Sequence, residues 1–220
     1  GSYALDVQNP ATATDMFNTA VGHYAGQAVT TGQYNNFFGG LAGDAITVGS
    51  ANVAIGWGAL SADDVGSSSV AIGHAALTAQ NFATATASYN TAVGSNAGQA
   101  VTTGVQNTLI GGLAGDALTD ADHNVAVGYA ALTTDTKGSR NVAIGNLALG
   151  TQNFTTSTSS YNTAVGDAAG AAVTTGIYNT LIGGLAGDAL TDSDENVAIG
   201  FGALTTDTLG QYTVAVGRGA

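Results

Sequence analysis

Short runs such as Val53-Ala54-Ile55, Val125-Ala126-Val127 and Val142-Ala143-Ile144 alternate a β-branched residue with a small one and end at a glycine. A period of two in residues that favour extended backbone predicts a short β-strand, with Val and Ile on one face and Ala on the other. The larger residues are expected to face inward and the alanines outward. The glycines that follow, Gly56, Gly128 and Gly200 among them, are expected at corners that need positive φ or a close backbone approach. Three residues later stands an alanine, as at Ala59, Ala131 and Ala203, expected to open a second short strand that often ends in Val or Leu, as at Val101, Leu118 and Val173. Two strands per coil make a flattened roll, with coils stacked by parallel backbone hydrogen bonds about 4.8 Å apart.

The motif glycines are Gly22, Gly39, Gly56, Gly73, Gly94, Gly111, Gly128, Gly145, Gly166, Gly183, Gly200 and Gly217. The steps between them run 17, 17, 17, 21, repeated along the chain, and a fixed period of this kind is the mark of a solenoid. Three steps of 17 and one of 21 make a 72-residue module, and residues 5–76, 77–148 and 149–220 are three copies of it. The chain thus reads as an all-β, parallel β-roll of twelve coils, one repeat domain over residues 3–220, with Gly1-Ser2 read as a cloning scar. The fourth coil type carries four extra residues, in Thr78 to Tyr89 and Thr151 to Tyr161, expected to form loops on the outside, where length costs little.

Four residues before the motif glycine stands Asn18, Asn35, Asn52, Asn90, Asn107, Asn124, Asn141, Asn162, Asn179 or Asn196, with Ser69 and Thr213 substituting. An amide here can bond the turn backbone and its counterparts on adjacent coils, so these residues are read as a structural ladder.

Composition narrows the function classes. The chain has 220 residues, 45% of them hydrophobic, enough for a sizeable core, and its 33 glycines with one proline fit many tight corners better than helices. A net charge of −12 repels phosphate backbones and anionic lipid surfaces, so neither nucleic acid nor membrane is expected as a partner. No apolar run approaches the roughly 20 residues of a membrane helix. The absence of cysteine excludes thiol chemistry.

Catalysis is not expected, nor is any cofactor. His23, His74 and His123 are read as lying at unrelated positions of their coils, and none recurs in the other modules. Asp44, Asp116 and Asp188 recur once per module, four coils apart, too far to share an ion. Asp120-x-Asp122-x-Asn124 and Asp192-x-Asp194-x-Asn196 resemble the opening of a calcium loop but lack its closing carboxylate, so they are at most weak calcium sites beside the simpler reading of solvated acidic turns. Thr30-Thr31, Thr102-Thr103 and Thr174-Thr175 occupy one coil type only, a poor lattice for ice. Trp57, Tyr129 and Phe201 directly follow the glycine of the third coil in each module; they either pack over a corner or form a glycan-binding stripe.

With alanines outward, the exposed strand face would be Ala54, Ala126, Ala198 and their counterparts, interrupted by Phe37, Leu109 and Leu181. Such a long apolar face of small residues is expected to be an interface, with the larger side chains interlocking across it. The pattern alone allows two or three chains, or three modules satisfying one another within a monomer.

Val53-Ala54-Ile55-Gly56 with Ala59, Ser69-Val70-Ala71-Ile72-Gly73 with Ala76, and Asn196-Val197-Ala198-Ile199-Gly200 with Ala203 resemble the head repeats of YadA-like trimeric autotransporter adhesins. That resemblance covers essentially the whole chain. It implies a left-handed β-roll, a homotrimer, an extracellular position and binding to a cell surface or matrix. Coils such as Tyr161-Asn162-Thr163-Ala164-Val165-Gly166 are equally similar to head-like repeats of bacteriophage tail fibres, which would place the chain on a virion. A polysaccharide-binding or polysaccharide-acting solenoid is the alternative from another class, and would need a carboxylate pair beside aromatic platforms.

Overall fold

A computed structural model describes residues 1–10 and 12–220. Every motif run forms a three-residue strand: β1 (Thr19–Val21), β2 (Asn36–Phe38), β3 (Val53–Ile55), β4 (Val70–Ile72), β5 (Thr91–Val93), β6 (Thr108–Ile110), β7 (Val125–Val127), β9 (Val142–Ile144), β11 (Thr163–Val165), β12 (Thr180–Ile182), β13 (Val197–Ile199) and β14 (Val214–Val216). These twelve pair in parallel and in sequence order, each in register with its repeat partner, as in Ala126 opposite Ala143. The chain is a parallel β-solenoid of twelve stacked turns, on the order of 55 Å long at the usual rung spacing. Gly1 stands one rung before Gly22 in the glycine column, and Tyr24 N–H donates to Ser2 O at 3.0 Å.

The polarity of the strands is opposite to expectation. Ala54, Ala126 and Ala198 are fully buried, as are Phe37, Leu109 and Leu181, while Ile55, Ile110, Ile182 and Ile199 remain 37–39% exposed. The reason is the volume available inside a narrow coil. Its bulk is supplied from the side opposite the strand, by Val29, Ile46, Leu60, Leu77, Val101, Leu118, Leu132 and Leu149, all at zero exposure. Where the strand centre is large, the facing position is glycine: a Cβ on Gly98 would lie 2.7 Å, and one on Gly115 2.8 Å, from a methyl of Leu109. In the coils where the strand centre is alanine and the facing residue is leucine, as with Ala126 and Leu132, the same space is filled from across. The interlocking therefore occurs within one chain, between coil walls, and Phe37, Leu109, Leu181, Ala54, Ala126 and Ala198 cannot form a surface between chains.

Among the described residues the second strand of each coil is also absent. After each motif glycine the chain follows turns, with left-handed residues two and four positions on, such as Asn96 (φ 58°) and Gly98 (φ 59°), or Ala130 (φ 52°) and Leu132 (φ 55°). Alternate residues still bond the next coil, as Gly98 N–H to Ala114 O at 3.0 Å and Ala100 N–H to Asp116 O at 2.9 Å, but positive φ prevents a continuous pleat. The buried Val101, Leu118 and Val173 lie on this turn-built wall.

The motif glycines do make the corner that was anticipated. Gly128 has φ 140°, and a Cβ there would stand 2.4 Å from Gly145 O on the next rung.

The four-residue insertions are only partly external. Ala83, Thr84 and Ala85 are exposed at one tip, but Phe82, Phe154, Gln80 and Gln152 are buried. Thr158–Ser159 (β10) pairs in parallel with Gly138–Ser139 (β8), so the insertion extends the stack locally.

Candidate functional site

Equal coils align side chains into columns along the solenoid. The asparagine column is satisfied inside the fold. Asn124 Oδ1 accepts the N–H of Asn141 at 2.9 Å, and its Nδ2 donates to Gly138 O at 2.9 Å. Asn52 does the same with Ser69 N–H and Gly66 O, and Asn196 with Thr213 N–H and Gly210 O. At the insertion coil the ladder is completed by other polar groups. Gln152 Nε2 donates to Asp135 Oδ2 at 2.6 Å, Asn162 Nδ2 donates to Gln152 Oε1 at 2.8 Å, and Ser160 Oγ donates to Asn141 Oδ1 at 2.8 Å. Asp63 holds the equivalent place in the first module, accepting from Gln80 and from Gly66 N–H; burial raises its carboxyl above 3.8, against the lowering by these bonds.

The acidic candidates also serve the stack. Asp122 Oδ1 accepts Val105 N–H and Asp194 Oδ1 accepts Ile177 N–H, both at 2.8 Å, while Asp120 lies 3.7 Å from Lys137 Nζ and accepts from Thr119, and Asp192 accepts from Thr191. Among the described residues no group of three or more His, Cys, Asp or Glu converges on one point. Threonine hydroxyls are similarly occupied, Thr30 and Thr102 donating to carbonyls of the next coil at 3.2 Å. Asp44 and Asp188 differ: the Oδ1 of each is buried without a hydrogen-bond partner, and burial raises the Asp44 carboxyl above 3.8.

What the solenoid presents outward is the β-branched strand face, bounded by two columns that bear aromatic rings. On the glycine side stand Trp57, Tyr129 and Phe201, 56–60% exposed. Each lies over a glycine of the preceding coil: a Cβ on Gly40, Gly112 or Gly184 would meet the ring at 3.4, 3.6 and 3.4 Å. The next rung covers two of them, His74 stacking on Trp57 at 5.2 Å and Arg218 lying 5.8 Å from the Phe201 centroid. His23 and His74 thus share the column of Trp57, and are not at unrelated positions. The flat faces of Trp57 and Phe201 are occupied along the axis by the chain itself, which favours corner packing for this column.

On the asparagine side runs a second column that the sequence reading passed over: Phe17, Tyr34, Tyr89, Tyr161, Tyr178 and Tyr212, each just before the ladder residue. All six have left-handed backbone, φ 50–60°, and all are exposed. Phe17 stacks on Tyr34 at 5.4 Å, and Tyr161 on Tyr178 at 5.5 Å with planes 11° apart. Aligning the coils on the asparagine would have exposed this signal, because the preceding residue is aromatic in six of twelve coils. A cleft of about 440 Å³, lined by Tyr178 and Glu195, opens beside the upper pair.

In comparisons with protein-family models, curated proteins and solved structures, nothing matches this chain significantly.

Proposed function

We propose that this chain is a structural and adhesive fibre segment, a homotrimeric, left-handed β-roll displayed outside a cell or on a virion and contacting a cell surface or matrix. The observation that carries the reading is the outward strand face. The third strand position is apolar on all twelve rungs, from Val21 and Phe38 to Ile199 and Val216, while the first carries Val53, Val70, Val125, Val142, Val197 and Val214 on six rungs and threonine or asparagine on the other six. At three residues per strand the strip is roughly 10 Å wide and 55 Å long, and one unbroken apolar column with pairs of valines beside it runs along that length, the kind of exposed apolar surface that marks an interface. A flat, straight, repetitive face of this kind is complementary to copies of itself, and closed rotational symmetry covers it without leaving a fourth binding surface open. The head-repeat resemblance of the strand motifs points the same way. In this reading the aromatic columns flanking the strip are the surfaces left for recognition, and the fold acts as a rigid spacer without catalysis.

Light scattering coupled to size exclusion tests the assembly. At micromolar concentration the expected mass is three times the 21.4 kDa chain. Combining Ile110→Asp with Ile182→Asp, which places charge on the outward face, is expected to release monomers with an unchanged circular dichroism spectrum. A wild-type mass of one chain would overturn the assembly, and a double variant that stays trimeric would move the interface elsewhere.

A further inference from the structure

The aromatic column on the asparagine side contains its own example of a cation on a ring. Arg140, Tyr161, Tyr178, Glu195 and Tyr212 occupy successive rungs of one column; the register is set by Tyr178 N–H to Ser160 O at 2.8 Å, Glu195 N–H to Ile177 O at 2.9 Å and Tyr212 N–H to Asp194 O at 3.3 Å. The Arg140 guanidinium lies 5.6 Å from the centroid of Tyr161, and Arg140 stands one rung before that tyrosine as Tyr178 stands one rung after it. Going up the column, the order is therefore cation, ring, ring, then the cleft with Glu195. Glu195 occupies the rung where a second cation would cap the stack. Among the described residues the single Lys or Arg ion pair joins Lys137 to Asp120, so no such cation neutralises Glu195.

We propose that the cleft between Tyr178 and Glu195 binds an organic cation, an alkylated ammonium or a guanidinium, which rests against the half-exposed ring of Tyr178 while the Glu195 carboxylate neutralises it. Two complementary attractions coincide there: the negative face of an exposed ring and a carboxylate on the adjacent rung, about 4.8 Å away along the axis. A net charge of −12 on the chain raises the local concentration of cations further. Tyr212, one rung beyond Glu195, places a second exposed aromatic residue roughly 10 Å from Tyr178 along the axis, on the far side of the carboxylate. The other modules lack the combination: the rung after Tyr34 carries Ala51, and the rung after Tyr89 carries Gln106. The site belongs to the third module and rests on the single-chain solenoid, independent of the fibre reading.

The test is titration of the intact protein with choline, followed by the aromatic NMR signals of Tyr178, beside a parallel titration with 3,3-dimethylbutan-1-ol, its neutral isostere. Choline is expected to bind with a dissociation constant on the order of millimolar, as befits an exposed site, and the isostere about tenfold more weakly. Glu195→Gln, read at Tyr178, and Tyr178→Ala, read by calorimetric titration beside wild type, should each weaken choline about fivefold or more, whereas Tyr34→Ala should leave it unchanged; circular dichroism verifies each fold. N-acetyl-argininamide, titrated in the same way, separates the two head groups, the tighter ligand naming the class. Equal binding of choline and its neutral isostere would overturn the proposal, as would a Glu195→Gln protein that binds both cations like wild type, or no shift at Tyr178 with either cation. The mass measurement that tests the trimer is unaffected by any of these outcomes.

Discussion

At the scale of single residues, stability depends on polar groups that bond between rungs. Asn124 provides an acceptor to Asn141 N–H and a donor to Gly138 O, both buried. Asn124→Ala leaves the two without partners, at about 1–3 kcal/mol each, and urea unfolding should show a loss of that order. A loss below about 0.5 kcal/mol would mean that water replaces the amide. Asp44 has the reverse character, because its buried Oδ1 has no partner. Its folded carboxyl is raised above the ordinary 3.8, so between that value and the raised one the folded chain holds a proton that the unfolded chain has released. Its contribution to stability is thus full below that value and is lost as pH rises through the raised folded value. Asp44→Asn should melt higher than wild type at neutral pH, with the difference shrinking towards pH 3.8. Parallel melting curves across that range would show that Asp44 is not the group responsible.

At the scale of the coil, two kinds of glycine have different consequences. Gly128 combines φ 140° with a projected Cβ contact of 2.4 Å to the backbone of the next rung, and its neighbour Gly145 repeats the same geometry, so neither can yield without separating coils. Gly112 lies outside the positive-φ set, and its projected Cβ meets the Tyr129 ring at an ordinary 3.6 Å. Gly128→Ala is therefore expected to lower the melting temperature sharply, by the equivalent of about 3 kcal/mol or more, while Gly112→Ala stays within about 1 kcal/mol. Thermal melts of the two variants side by side check the contrast, and equal effects would refute it. The coil also shows why one wall is strand and the other is not. Left-handed backbone at Asn96, Ala130 and Leu132 is permitted by bonds across the stack, against the intrinsic preference of those side chains.

For the whole molecule, adjacent residues of one strand should respond in opposite ways to the same charge. Leu109 is enclosed between Gly98 and Gly115, so Leu109→Asp buries an unpaired carboxylate and should abolish the cooperative unfolding transition or cost more than about 4 kcal/mol. Ile110 points outward from β6, and Ile110→Asp should keep the solenoid while changing its association. Circular dichroism and light scattering on the pair distinguish a core position from a face position. A folded Leu109→Asp protein would refute the assignment of the core.

The twelve-rung stack, the three modules, the glycine corners and the asparagine ladder were legible in the sequence because each is imposed identically on every coil, so periodicity alone reveals it. The direction of the strands was not legible. A period of two separates Ala126 from Val125 and Val127 but does not say which side is interior; that was decided by the space left when Leu132 and its counterparts enter from the facing wall. The turn-built wall was hidden for a related reason, since left-handed backbone at non-glycine residues such as Leu132 and Tyr178 leaves no mark in composition. The cleft at Tyr178 and Glu195 likewise joins residues 17 apart in the chain, and only the parallel register of the coils makes them neighbours.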